Sequence, residues 1–438
     1  MSKSFRAFAE GTYGCVGTPS LSCVDNSKLN KLASTQNVVG KLMSRDEEAK
    51  EEFGQGNFVR KLDPTSKFSL TSFGICHAKF TGNENNVGKS CPERKPDLLK
   101  AMRKHGSVTQ LISPNGGYDL ENTKAPLKDI LPAMGDILKG LIVLKRHGLV
   151  HTDIKAPNIV YSKELGAKLI DFGIPTNNSK HDIYNIWYDN GSLEFSYATY
   201  PPEWDWLARM VSGNAKHYKK TNEDEHGKDN TAKSLVVAVA GLCKRPQYHS
   251  LSALAALDKG MMAVAAPDPR LPIEVAFKKV MLKLSRTDIW SKVDLYGVGI
   301  TIGEVILSRM PRHGLTNEQF YKVTEWIAKA TDFNVFTRLT PEQAYAEWVE
   351  IWSETPAGRP QTRAATRRMQ TIRSRSRSRS RSLVRKCVKI DSLISTRGLP
   401  PYVAGDCKGI VRSGQLSKRR TRYTSTPDKR KKYYWKTQ

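Results

Sequence analysis

His151-Thr152-Asp153-Ile154-Lys155-Ala156-Pro157-Asn158, followed thirteen residues after Asn158 by Asp171-Phe172-Gly173, is the stretch on which the fold of this 438-residue chain turns. Before it, Leu127, Ile130, Leu131, Met134, Ile137, Leu138, Leu141 and Ile142 recur at helical spacing, which predicts an amphipathic helix over 127–147 leading straight into the loop. After it, NIVYSKELGAKLIDFG reads as two short strands turning at Glu164-Leu165-Gly166, with Asp171 at the end of the second. Two carboxylates, a lysine and an amide therefore sit on loops held by packed elements, where chemistry is usually carried.

The order and spacing of these residues resemble the protein-kinase catalytic loop, H-R-D-x-x-x-x-N, and the metal-binding D-F-G. Either motif alone is weak, because Asp-Phe-Gly is a common turn. The resemblance implies an α+β, two-lobed fold with a small β-rich N-lobe (about 5–112) and a larger helical C-lobe (about 118–360). It also implies ATP and Mg²⁺ as cofactors and protein hydroxyls as substrates. Phosphoryl transfer needs mainly positioning and charge neutralisation, with a carboxylate to take the hydroxyl proton and oxygen ligands for the metal. On this pattern Asp153 is the base, Asn158 and Asp171 hold Mg²⁺, and Lys155 neutralises the transferring phosphate, a placement that in the family marks Ser/Thr kinases.

Working outward, Ala9-Glu10-Gly11-Thr12-Tyr13-Gly14-Cys15-Val16 resembles the family's Gly-rich loop with its first glycine replaced by alanine. By itself it reads equally as a hairpin turn. The resemblance places Ala9, Gly11 and Gly14 over the phosphates and Val16 over the adenine. Val38-Val39-Gly40-Lys41 then supplies the strand lysine for the α- and β-phosphates. SRDEEAKEEF, a short helical stretch, offers Glu47, Glu48, Glu51 and Glu52 as its partner, with Glu52 chosen and Glu48 next. Residues 61–110, with Asp63-Pro64 and TGNENNVGKS, are expected to be loops between brief elements. Residues 111–120 fall where the hinge belongs, although a plain glycine turn has the same composition.

Farther along, Tyr200-Pro201-Pro202-Glu203 resembles A-P-E, and Asp294-Leu295-Tyr296-Gly297-Val298-Gly299 resembles the helix whose aspartate braces the catalytic loop. Arg359 is a candidate partner for Glu203, or a surface arginine. Residues 204–287 read as an insertion with helices, and a continuous apolar helix is predicted over 293–307. Thr152 replaces the arginine that pairs with an activation-loop phosphate in many kinases, so activation by phosphorylation there is not expected. GTYGCV with Pro19 and Cys23, VVGKLM, KLDP and GGYDL are more narrowly similar to divergent Ser/Thr kinases encoded by nucleocytoplasmic large DNA viruses.

The formal charge of +27 is uneven. Residues 361–438 carry 23 Lys/Arg against 3 Asp/Glu, including RSRSRSRSRS at 373–382, SKRRTR and DKRKKYYWK. Such a segment cannot bury enough apolar surface to fold alone, so a disordered tail is expected. Its arginines suit phosphate contacts and its Tyr and Trp residues suit base stacking, which makes nucleic acid a candidate partner, against a plain solvated extension. No apolar run approaches a membrane span and no secretory h-region is present, so an intracellular protein is expected. Seven scattered cysteines without CxxC spacing are read as reduced thiols, with neither a disulfide framework nor a zinc site. From another functional class, a pseudokinase scaffold or nucleic-acid-packaging protein competes with the enzyme, but it has no chemical need for Lys41, Asp153, Lys155, Asn158 and Asp171 together.

Overall fold

The computed structural model describes residues 5–10, 14–79, 91, 95–172, 176–177, 198–211, 230–265, 270–271, 273–284, 287–310 and 314–353. Gly11, Gly173, Arg359 and the basic tail lie outside them. All described residues belong to one unit, Met1–Arg359.

The first half of that unit is a five-stranded antiparallel sheet in the order β1-β2-β3-β5-β4, formed by β1 (Arg6–Glu10), β2 (Gly14–Thr18), β3 (Val38–Met43), β4 (Gly74–Ala78) and β5 (Val108–Pro114). In β3, Val16 of β2 stands opposite Lys41, and Cys15 stands opposite Leu42. Side chains alternate along a strand, so Val16 and Lys41 share one face while Cys15 and Leu42 share the other. Three helices accompany the sheet: α1 (Ser27–Thr35), α2 (Asp46–Leu62) and α3 (Lys95–His105). Neither α1 nor α3 follows from the apolar pattern, and α3 replaces part of the loop expected before residue 110. The Asn26 side chain caps α1 by accepting from the Leu29 amide at 3.1 Å. The helix read in SRDEEAKEEF runs on to Leu62 and buries Ala49, Gly56 and Val59.

At the junction, Gly117 has φ +88°, and a Cβ there would lie 2.3 Å from the Tyr161 carbonyl, so the chain enters the second half through a position only glycine fills. The three-stranded sheet that follows joins β6 (Tyr118–Asp119), β8 (Ile159–Ser162) and β9 (Gly166–Leu169). Helix α4 (Leu127–Arg146) buries the predicted apolar stripe except Ile142, which is half-buried, and contains Pro132 in its first turns. Strand β7 (Leu149–Val150) pairs with β10 (Thr176–Asn177) on either side of the catalytic-loop sequence.

Most of the remainder is helical: α5 (Pro202–Val211), α6 (Asn230–Cys243), α7 (Leu251–Ala265), α8 (Ile273–Leu284), α9 (Ile289–Leu307), α10 (Asn317–Ala330) and α11 (Pro341–Ser353). Helix α9 is buried along almost its whole length, because its apolar residues surround it rather than lining one face. The described part of the expected insertion is built into the lobe. Trp204, Trp206, Leu257, Met261, Val280 and Leu284 form one core with Trp290 and Val293 of α9, and Val239 packs in the main core. Among the described residues no helix is long and apolar enough to cross a membrane.

Two kinds of pairing were not expected. Arg359, the candidate partner of Glu203, lies outside the described residues, and both Glu203 oxygens accept from Arg338, Nη1 to Oε1 at 2.6 Å and Nη2 to Oε2 at 2.9 Å, with both side chains 0% exposed. Arg338 also donates to the carbonyls of Asp332 and Lys292 and lies 4.9 Å from the Tyr296 ring centroid. The reduced-thiol reading gives way for four of the seven cysteines, because Cys15 is bonded to Cys91 and Cys23 to Cys76; Cys243 is free and buried, and Cys387 and Cys407 lie outside the described residues. Their separations of 76 and 53 residues leave no local spacing signal, and a bridge between Cys23 and Ala78 at the end of β4 sets Cys23 beside Cys76.

Candidate active site

The catalytic-loop sequence folds as it does because a buried carboxylate holds its backbone. Asp294 on α9 accepts from the His151 amide at 2.7 Å and the Thr152 amide at 2.8 Å. Burial pushes the Asp294 carboxyl above its ordinary value, and His151 with the two amides opposes the shift. These bonds hold Thr152 at φ +66°, a costly conformation for a residue with a Cβ, and so aim the next side chain, Asp153. The His151 ring spans the loop: Nε2 is 3.1 Å from the Ile170 carbonyl, and the ring centroid is 4.9 Å from that of Phe172.

Asp153 is asymmetric. Its Oδ2 accepts from Asn158 Nδ2 at 2.9 Å and pairs with Lys155 Nζ at 2.9 Å. Its Oδ1 is buried with no hydrogen-bond partner among the described residues. Orphaned buried oxygens are uncommon and call for an explanation, and an incoming hydroxyl donor supplies one. Asn158 Nδ2 also donates to the Asp153 carbonyl at 2.9 Å, which commits the amide nitrogen and leaves the oxygen Oδ1 as its ligand atom.

Asp171 has φ +60° and lies at the end of a strand fastened on both sides. Leu169 donates to the Phe68 carbonyl at 2.8 Å and accepts from Leu70, while Ile170 donates to the Asn158 carbonyl at 3.0 Å. The 68–70 segment is itself tied down by Asp63, whose carboxylate accepts from the amides of Lys67, Phe68 and Ser69 and from the Ser69 hydroxyl. The sequence offered Asp63-Pro64 as part of a loop region and KLDP as a mark of resemblance, so this anchoring role was missed.

From the sheet side, Lys41 Nζ meets Glu52 at 2.8 Å (Oε1) and 2.7 Å (Oε2), and Asp171 Oδ1 at 3.8 Å. Of the four candidate carboxylates on α2, Glu52 is the one that reaches Lys41. Burial raises its carboxyl above the ordinary value; Lys41 opposes this and Asp171 adds to it. Ala9 and Val16 are register partners on the face shared with Lys41. A Cβ on Gly14 would lie 2.1 Å from the Leu42 carbonyl, so the hairpin seats against β3 only with glycine there. An oxygen-only donor pair, Asn158 and Asp171, beside a lysine and an orphaned carboxylate oxygen fits a magnesium–phosphate group.

A family model described as protein tyrosine and serine/threonine kinase matches residues 22–205. Residues 22–205 carry a protein kinase domain. Stretches of that domain are similar to MAP3K epsilon protein kinase 1 of Arabidopsis thaliana, 34% identical over 99 residues, 22% of this chain and 7% of that protein. Cell division control protein 2 homolog 3 of Trypanosoma brucei brucei is 30% identical over 115 residues, 25% of this chain and 32% of that protein. Mitogen-activated protein kinase kinase kinase 17 of Arabidopsis thaliana is 34% identical over 77 residues, 18% and 19% of the two chains. The chain thus spans less than a third of the length of each of these relatives.

Proposed function

We propose that the chain is an active Ser/Thr protein kinase that transfers the ATP γ-phosphate to protein hydroxyls. The observation that carries this reading is the unpartnered Oδ1 of Asp153, fixed in direction by the bonds Oδ2 makes to Asn158 and Lys155. A substrate hydroxyl donating to that oxygen loses its proton to Asp153 as it attacks. Lys155, already at the carboxylate, places its charge beside the reacting oxygen and stabilises negative charge that develops there. Lys41, oriented by Glu52, binds the α- and β-phosphates, Val16 covers the adenine, and Asn158 with Asp171 offers the oxygens that hold magnesium. Magnesium ATP, when bound, supplies the phosphoryl group and the divalent charge that screens it.

The Ser/Thr preference rests on Lys155. The viral subfamily rests on GTYGCV, VVGKLM, KLDP and GGYDL. Thr152, whose amide is held by Asp294, stands where a phosphate-reading arginine would be, so the enzyme is proposed to be competent without activation-loop phosphorylation; phosphatase treatment should leave its rate unchanged. The basic tail is proposed to engage nucleic acid by counterion release inside the cell, and tail-peptide binding that is insensitive to salt would oppose that role.

The test of the whole reading is transfer of label from γ-labelled ATP to a general acceptor protein, with acid hydrolysis to identify the phosphoamino acid. Asp153→Asn keeps the shape and removes the base, and should lower the rate about 10²–10⁴-fold. Equal rates for wild type and variant would end the enzyme reading, and phosphotyrosine as the main product would end the Ser/Thr assignment.

A further inference from the structure

Cys15 follows Gly14 directly in the β1–β2 hairpin, but strand alternation turns it away from the face that carries Lys41 and meets Asp171, the cleft side of the sheet. Ala9, Val16 and Lys41 share the cleft face, whereas Glu10, Cys15 and Leu42 share the outer face. On that outer face Cys15 is 0% exposed among Phe5, Ala7, Leu42, Leu98, Ala101 and Val108, the last residues belonging to or following α3. Cys91, also fully buried, precedes α3 by a few residues, and the Cα atoms of Cys15 and Cys91 are 6.2 Å apart, inside the range a disulfide spans. Cys91 Sγ lies 3.3 Å from Oε1 of Glu10, the residue opposite Cys15 in β1.

We propose that Cys15 and Cys91 are a reversible redox modification site: closed as a disulfide, the pair pins the outer face of the β1–β2 hairpin to the chain entering α3 and restrains its opening. The consequence for nucleotide exchange rests on reading the cleft beneath the hairpin as the ATP site. The oxidant is a low-molecular-weight disulfide of the glutathione class. One thiolate attacks its S–S bond and releases one small thiol; the second thiolate then attacks the mixed disulfide and releases the other. One S–S bond forms and one breaks, and the two protons lost by the protein appear on the two small thiols. Both sulfurs are buried, so each exchange requires the hairpin to lift first. Disulfides that form in reducing compartments are usually transient or sensing, which suits a pair that closes only under oxidation. The second pair is a built-in control. Cys23 and Cys76, with Cα atoms 5.7 Å apart, lie in a separate cluster with Leu29, Val38 and Ile112 and do not include the hairpin.

The full-length chain is equilibrated in glutathione buffers from fully reduced to fully oxidised, the free thiols are trapped by alkylation, and the cross-links are mapped by mass. Amide exchange of β1 and β2 and release of a fluorescent ATP analogue are followed in parallel. In wild type and in Cys23→Ser/Cys76→Ser, a Cys15–Cys91 peptide is expected on oxidation and its loss on reduction. Hairpin amide exchange should slow about tenfold in the oxidised state, and analogue release should slow several-fold. Cys91→Ser should show none of these responses, with Cys91→Ala as the second variant should the serine prevent folding. The proposal is overturned if both cysteines stay alkylatable throughout. It is equally overturned if the bond forms without changing hairpin exchange, or if the reduced protein carries a stoichiometric metal ion on Glu10, Cys15 and Cys91. Mass and amide exchange need no catalysis, so a failure of the kinase reading at Asp153 is seen separately from a failure here.

Discussion

In the helical lobe, Asp153 stands on a loop whose amides are held by Asp294, and Asp294 belongs to a helix buried along almost its whole length. In the sheet lobe, Lys41 meets Glu52 on α2, a helix that buries only Ala49, Gly56 and Val59 of its seventeen residues. One half of the site is thus fixed by buried hydrogen bonds and core packing, and the other turns on the Lys41–Glu52 ion pair, whose side chains are 18% and 16% exposed. The contrast assigns different tasks. On the proposed reading the base and metal ligands need a fixed geometry, whereas the lysine contact depends on how α2 seats Val59 in the main core and Ala49 beside Met43 and Leu111.

The largest effect is expected where the helical lobe is most rigid. Arg338→Ala leaves the Glu203 carboxylate buried without its partner and should destabilise the domain by about 3–5 kcal/mol in urea unfolding. Replacing both partners with apolar residues, Arg338→Met with Glu203→Leu, should recover most of that loss, because no charge is then left buried. A single variant with wild-type stability would show that this lobe is not held as described.

The mirror experiment is Glu52→Gln. Stability should change by less than about 1 kcal/mol, since the pair is partly solvated, while phosphotransfer should fall about 10–100-fold, equivalent to about 1.4–2.7 kcal/mol of barrier. The pH dependence separates the two quantities further. The Glu52 carboxyl is raised by burial and by Asp171 against the pull of Lys41, so acid protonates it above the ordinary carboxylate range. Only the ionised form pairs with Lys41, so activity should decline first on acidification. A carboxyl raised in the folded state binds its proton more tightly there than when unfolded, so this group itself costs no stability as pH falls. Coincident loss of activity and structure would merge the two halves of the comparison.

The same contrast governs what could be read from the sequence. Helix α4 and the loop after it were legible because the apolar stripe and the polar residues lie within one short window. Helix α9 was legible as a continuous apolar run. Glu52 was legible only as one of four acids, yet Ala49, Glu52, Gly56 and Val59 form a single helical stripe, and that stripe is the face α2 turns inward. Helix α3 escaped because its charges and the preceding Gly/Asn run masked Leu98 and Ala101, which are buried only against the sheet. Arg338 and the two cysteine pairs were beyond any local pattern. Their partners lie 135, 76 and 53 residues away, and it is the fold that joins them.

The smallest expected effect has the opposite sign and comes from the rigid lobe itself. Helix α9 carries two acids drawn away from water, Asp294 buried and Glu304 half-buried. Asp294 is supplied with two amides, whereas no hydrogen bond to the Glu304 carboxylate is found among the described residues, and burial, then the Glu121 charge, pushes Glu304 up to about 7. Since the folded value exceeds the ordinary carboxylate value, the contribution of Glu304 to stability is fully present below the unfolded pKa and is lost as pH rises through about 7. Glu304→Gln removes the ionisation and should stabilise the domain by about 1–2 kcal/mol at pH 8, with little change at pH 5. Glu121→Gln, which removes only the lesser cause, should give a smaller gain of the same sign. Urea unfolding at the two pH values decides it: a stability difference between wild type and Glu304→Gln that does not grow with pH would mean the carboxylate finds compensation in the folded lobe, and the rigidity assigned to α9 would then extend to its last turn.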